Sequence, residues 1–212
     1  MTPANNIIRP FRSSSGVIGW NDTACPNSFF LTQNAATAIA AVELFLGEGS
    51  RPIADEVLRA ALADAVSPGR LQVVSKDPLV VLDGAHNPAG MASLTAALDL
   101  SFNSPKTLGL VAMLADKDLS GTIAEMAKAF DQVVCTQPVS PRGLPAAELA
   151  QICEDCGIEV LAVEPSVSAA YKLANRLAAE EKAALFVTGS LYLIGDVLKY
   201  IQDQRLDDED EE

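Results

Sequence analysis

Asp83, His86 and Asn87 stand together in the stretch Leu79-Val-Val-Leu-Asp-Gly-Ala-His-Asn-Pro-Ala-Gly90, and His86 is the only histidine in 212 residues. A carboxylate, an imidazole and an amide within five positions are side chains able to bind or to pass protons. Their setting suits a site. The four apolar residues read as a buried strand, Gly84 allows a tight turn, and Pro88 is placed to open a helix running to Leu100. Open α/β sheets present ligands where a strand runs into a polar turn and then a helix. Such a helix would offer free backbone N–H groups to an anion. The plain alternative is a βα turn whose Asp and Asn only cap the helix.

Other polar turns follow other apolar strands: Ala115-Asp-Lys-Asp118, Thr136-Gln-Pro with Arg142, Glu164-Pro-Ser166 and Thr188-Gly-Ser190. In a parallel sheet these turns gather at one edge, which brings Asp83, His86, Asp116, Lys117 and Ser190 into one neighbourhood. Absent motifs narrow the chemistry. The 212 residues contain no Gly-x-x-x-x-Gly-Lys-Ser/Thr, no Gly-x-Gly-x-x-Gly after a strand and no Gly-x-Ser-x-Gly elbow. Cys153 and Cys156 have metal-like spacing but no second pair, and read as structural thiols on a helix that ends at Gly157.

The elements that must hold these turns alternate regularly. Strands are expected at 71–74, 79–82, 108–113, 132–135, 159–163 and 184–187, and helices at 88–100, 119–130, 145–156, 167–179 and 191–201. That pattern predicts an α/β fold, a Rossmann-like, mostly parallel sheet with helices on both faces, over 69–204. In front of it, residues 1–68 read as loops, a short strand at 17–20 and two helices. The first has Asn34 as its N-cap; the second, 53–65, places Ile53, Val57, Leu58 and Leu62 on one face. The boundary falls at Ser67-Pro-Gly-Arg70, where a solvated turn charge is the simplest account of Arg70.

The net charge of −13 includes six negatives in Asp207-Asp-Glu-Asp-Glu-Glu212, so 205–212 reads as a disordered acidic tail and leaves −7 elsewhere. An acidic balance argues against nucleic-acid binding. No run of 18 apolar residues and no leader pattern occurs, so neither a membrane span nor secretion is expected, and the cytoplasm is the default.

Taken as ordered motifs, these residues resemble a known family. Leu82-Asp-Gly-Ala-His-Asn-Pro-Ala-Gly90, with Asn34-Ala-Ala-Thr-Ala, Ser67-Pro-Gly-Arg70, Met113-Leu-Ala-Asp-Lys-Asp118 and Thr188-Gly-Ser-Leu-Tyr192, is similar to the C-terminal domain of folylpolyglutamate synthase/dihydrofolate synthase in the Mur ligase superfamily. Together the motifs cover about 30 to 200. The resemblance implies a Mur ligase C-terminal glutamate-ligase domain at 69–204, with 1–68 as the end of an ATP-binding central domain. It implies a reaction in which ATP and Mg2+ activate a carboxylate of folate or dihydropteroate, and L-glutamate attacks the acyl phosphate.

By the same resemblance Asn34, Arg70, Asp83 and His86 fall at positions that contact ATP. His86 and Ser190 lie toward glutamate, and His86 is the candidate catalytic residue, more as a binder than as a base. Asp116 and Lys117 fit either function or loop packing. The magnesium ligands and P-loop would belong to an N-terminal domain, supplied in cis or in trans, so the chain alone is expected to be inactive. Two other readings are a non-catalytic module that pairs with or regulates a full ligase, and a fragment of a sister cell-wall ligase. Asp83-Gly84 before Ala-His-Asn-Pro speaks against the last.

Overall fold

Each apolar run named above becomes a strand because it is short, rich in Val and Leu, and closed by turn residues. The computed structural model describes residues 10–12, 18–20, 29–47, 52–65, 67–101 and 106–210. It divides into two compact units, Met1–Pro68 and Gly69–Glu212.

In the first unit β1 (Pro10–Arg12) pairs antiparallel with β2 (Ile18–Trp20), followed by α1 (Phe29–Gly47) and α2 (Asp55–Asp64). Asn34 is not the N-cap that its residue type suggested. Phe29-Phe-Leu-Thr-Gln contains no breaker, so α1 begins five residues earlier and Asn34 lies exposed within it. An Asn inside an exposed helix costs only a few tenths of a kcal/mol. The expected apolar face of the second helix is also only partly covered: Ile53 and Leu58 are half-buried, whereas Val57 and Leu62 are exposed. With Phe45 at 89 % exposure, this unit presents large apolar side chains on both helices.

The second unit runs β3 (Gln72–Lys76), β4 (Leu79–Leu82), α3 (Pro88–Ser101), β5 (Thr107–Val111) and α4 (Leu119–Met126). It continues with β6 (Gln132–Cys135), α5 (Ala146–Asp155), β7 (Glu159–Val163), α6 (Val167–Glu181), β8 (Ala184–Thr188) and α7 (Leu191–Asp210). Its six strands lie in the order β3-β4-β8-β5-β6-β7. Only β3 is antiparallel, joined to β4 with a register shift between Val73 and Ser75. The chain steps from β4 past β8 to β5, β6 and β7, then returns to the centre. Right-handed crossovers put the helices of the outward steps on one face and the helix of the return on the other. The contacts agree: α3 packs on α4 and α4 on α5, while α6 packs on α7.

The sheet is sandwiched accordingly. Leu82, Leu110, Leu185 and Val187 are buried against Ala170, Ala174 and Ala178 of α6, whose small side chains let the helix lie close. Each such Leu or Val contributes about 1.5–3 kcal/mol by leaving water. On α7, Leu193, Ile194 and Val197 join the same core. Once that first stretch is anchored, adding further turns costs little. The helix therefore continues to Asp210, and the residues expected as a disordered tail are helical over 205–210. At the end of α5, Gly157 adopts φ +83, its N–H reaches Glu154 O, and Ile158 N–H reaches Cys153 O at 3.0 Å. This is a glycine-terminated helix end of the predicted kind. Cys153 is buried beside Cys135 of β6, and Cys156 is exposed at the helix end.

Candidate functional site

The connection leaving β4 goes to the face of α3, whereas the one leaving β8, its neighbour, goes to the face of α7. Two parallel strands whose exits diverge mark the switch point of the sheet, the place along the carboxyl edge where open α/β sheets hold ligands in a crevice. The turns at its two lips are Asp83–Asn87 and Thr188–Ser190, and β5 flanks β8 on the other side. Backbone bonds close the lips together: Asp83 N–H donates to Val187 O at 2.9 Å and Gly189 N–H to Ala85 O at 2.9 Å.

Asp83 is only 8 % exposed. It does not cap a helix. Its Oδ2 accepts the N–H of Leu71 at 3.0 Å and its Oδ1 accepts the N–H of Ala85 at 2.9 Å, while Gly84 N–H donates to Gly69 O at 2.7 Å. The carboxylate thereby ties the Ser67–Arg70 turn to the end of β4. The turn needs unusual backbone to arrive there: Gly69 has φ +68 and Leu71 has φ +44. A left-handed Leu is strained backbone, held by its surroundings. The result sets the exposed Arg70 close enough to Asp83 to act on its charge.

Burial is the main influence on Asp83 and raises its pKa above 3.8; the two backbone N–H groups and Arg70 pull the other way. Asp116 at the end of β5 shows the opposite balance. Arg142 donates to its carboxylate and holds its pKa below 3.8. Carboxyl-detected NMR titration is therefore expected to give Asp83 a midpoint above 3.8 and Asp116 one below it. Coincident midpoints would contradict this.

His86, half-buried, places Nδ1 2.8 Å from Gly84 O. A carbonyl only accepts, so Nδ1 carries the proton and Nε2 is left for a ligand. Asn87 is the helix cap: its Oδ1 accepts Gly90 N–H at 2.7 Å and its carbonyl accepts Met91 N–H at 2.9 Å. Pro88 has no N–H, so of the first four helical residues only Ala89 keeps one without a partner among the described residues. The expectation of several free N–H groups on α3 is corrected to one, because Asn87 uses the others. Ser190 is 1 % exposed and caps α7, its Oγ accepting Tyr192 N–H at 3.2 Å; its own hydroxyl hydrogen has no acceptor among the described residues.

Four of the sequence-derived residues thus meet at the crevice: Arg70, Asp83, His86 and Ser190. Asn34 lies on α1 of the other unit. Asp116 and Lys117 lie one strand over, at the β5 edge, where Asp116 pairs with Arg142. Arg142 was legible only as part of a polar turn; its partner lies 26 residues away. The tie from Asp83 to Leu71 was also missed, since nothing local marks it. Among the described residues no group of three His, Cys, Asp or Glu could hold a metal ion, and no helix is long and apolar enough to cross a membrane.

Comparison with known proteins matches residues 69–191, more than half of the chain, to the model of the Mur ligase glutamate ligase domain. The dihydrofolate synthase/folylpolyglutamate synthase of Mycobacterium tuberculosis is 41 % identical over 118 residues, covering 55 % of this chain and 24 % of the relative. The enzyme of that name from Escherichia coli K12 is 31 % identical over 174 residues, covering 81 % of this chain and 38 % of the relative. A solved Mycobacterium tuberculosis folylpolyglutamate synthase, complexed with ADP and AMPPCP, superposes with a TM-score of 0.74 at 30 % identity, over 80 % of this chain and 39 % of that one. The chain spans less than two fifths of the length of each of these relatives. Crevice, sheet order and family match agree, and the chain belongs to the Mur ligase family as a glutamate ligase domain of the folylpolyglutamate synthase/dihydrofolate synthase type.

Proposed function

We propose that this chain is the C-terminal part of an ATP-dependent ligase that adds L-glutamate to a folate or dihydropteroate carboxylate. The observation that carries the reading is the β4–β8 crevice, with Arg70 set against buried Asp83 and with His86 and Ser190 on its lips. ATP with Mg2+ would supply activation of the acid substrate as an acyl phosphate, which the amine of L-glutamate then displaces. Such a site must screen phosphate charge and hold two substrates in line.

The chain's own residues can do part of this. Arg70 offers a planar cation for phosphate oxygens. Each Asp83 oxygen accepts one backbone N–H and keeps a second acceptor direction for ribose hydroxyls. His86 Nε2 and the Ser190 hydroxyl face the glutamate side of the reaction in this reading, as binding groups. Asn34 is proposed as a nucleotide contact. The first unit, 1–68, is proposed as the end of the ATP-binding central domain, and its exposed Phe45, Leu44 and Leu46 suit a face meant for more of that domain. The P-loop and magnesium ligands would come from the N-terminal domain in cis or in trans, and the setting would be the cytoplasm.

The 212 residues alone are expected to bind nucleotide weakly and to turn nothing over. Titrating the 15N-labelled chain with MgADP should move amide signals at 69–71, 83–87 and 188–191, with the response reduced in Arg70→Ala. Signals moving only elsewhere would contradict the placement.

A further inference from the structure

We propose that Cys156, Cys153 and Cys135 form a thiol–disulfide exchange site: exposed Cys156 takes up a small cationic disulfide, and the oxidation ends as a Cys135–Cys153 bond inside the α/β unit. The site is separate from the Asp83 corner and does not depend on the ligase reading.

The fold places the three sulfurs in series. Cys153 and Cys156 are three residues apart at the end of α5, which makes them neighbours on its surface. Cys153 is fully buried, whereas Cys156 is exposed. Cys135, the last residue of β6, is also fully buried, and its Sγ–H donates to Cys153 Sγ. Both buried thiols sit on held backbone. Cys135 lies in register between Val111 and Val163, and Cys153 O accepts the N–H of Cys156 at 3.1 Å and of Ile158 at 3.0 Å. The pair needs no search to meet. Cys156 stands in looser surroundings, since a Cβ added at the following Gly157 would meet nothing within 4 Å.

The hydrogen bond from Cys135 favours a thiolate at Cys153 and holds its pKa below 9.0, while the same bond and burial push Cys135 up. Cys153 is therefore the nucleophile next to Cys156. In the first step Cys156 Sγ attacks one sulfur of R–S–S–R; its bond to that sulfur forms, the original S–S bond breaks, and one R–S⁻ leaves and takes up the Cys156 proton. Cys153 Sγ then attacks Cys156 Sγ, and the second R–S⁻ leaves as R–SH. Cys135 Sγ finally attacks Cys153 Sγ, and Cys156 departs with the Cys135 proton. Two protein thiols become one disulfide, and one small disulfide becomes two thiols. No oxidant has to enter the packed core. Charge selects the reagent: exposed Glu154 and Asp155 flank the entry thiol in a chain of net charge −13, so they repel an anionic disulfide and gather a cationic one.

The test treats the folded chain, carrying Cys25→Ser, with cystamine. Thiols are trapped by acid and alkylation, and cleavage after Glu154 separates Cys153 from Cys156 for mass spectrometry. A Cys135–Cys153 disulfide should accumulate, and Cys156→Ser should slow its formation about tenfold or more. Cys153→Ala should leave Cys156 as a mixed disulfide with half of cystamine, and Cys135→Ala should stop at Cys153–Cys156. Circular dichroism matching the parent shows that a variant has kept the fold, and the exposed Cys156→Ser carries the test if a buried variant unfolds. Oxidised glutathione, an anion, should react more slowly than cystamine. A mixed disulfide on Cys156 as the end product in the parent would overturn the inference. So would an unchanged rate in Cys156→Ser, or thiols that react only once urea has unfolded the chain. Faster reaction with oxidised glutathione would overturn the assigned class of disulfide.

Discussion

Replacing Gly189 by alanine is expected to lower the unfolding free energy of the α/β unit by about 3 kcal/mol. Gly189 stands between Thr188 and Ser190 with φ +99, a conformation that side chains resist. An added Cβ would lie 2.5 Å from the Ala112 carbonyl oxygen just past β5, and that backbone, whose Ala112 N–H is held by Thr188 O, cannot move aside as a side-chain end can. Strain and overlap add. Gly195→Ala is the control: its Cβ would meet nothing within 4 Å, and an alanine within a helix is expected to stabilise by about 0.5–1 kcal/mol. Urea denaturation followed by circular dichroism reads both. Equal midpoints for the two variants would contradict the tight β8–β5 edge.

The second large effect is expected at Asp83. Asp83→Ala strips the acceptor from the N–H groups of Leu71 and Ala85 and releases the strained Gly69–Leu71 turn. Leaving two such donors unpaired costs about 2–4 kcal/mol. MgADP shifts at 69–71 should vanish with it, because Arg70 loses its tether. Asp83→Asn separates geometry from charge. The folded pKa of Asp83 is raised above the ordinary 3.8, chiefly by burial. The stability its carboxyl contributes is thus fully present below 3.8 and is lost as pH rises through the folded value. Across that window the stability of the parent, measured relative to Asp83→Asn, should fall. A difference that grows with pH would mean that Arg70 and the two N–H donors outweigh burial.

Much of this architecture was legible because local chemistry and tertiary demand coincide. Val-Val-Leu followed by Asp-Gly, then Pro88 at the first helical position, reads as strand, turn and helix from one direction only. Gly157 and the Ser67-Pro-Gly turn are equally plain. What was hidden depends on distant partners. The antiparallel direction of β3 follows from its pairing with β4, and nothing in Gln72–Lys76 distinguishes it from a parallel strand. The left-handed ends at Leu71 and Lys182 carry side chains where glycine is the usual signal. Asn34 looked like a cap because its type is common there, yet the apolar stretch before it carried the helix further back. The acidic residues after Arg205 argued for disorder, and an anchored helix extended through Asp210 instead. In the site, residue types pointed to Asp83, His86 and Ser190, but the Asp83–Leu71 tie and the Asp116–Arg142 pair are products of sheet order.

The measurement that tests the account most directly is reconstitution. The chain is mixed with a separately expressed P-loop domain of the same family, and ADP release is followed with ATP, L-glutamate and dihydropteroate or folate present. Neither part alone should turn over, release on mixing should need all three substrates, and both Arg70→Ala and His86→Ala should lower it about tenfold or more. Turnover by the chain alone, or release on mixing that is unchanged in those two variants, would contradict that expectation.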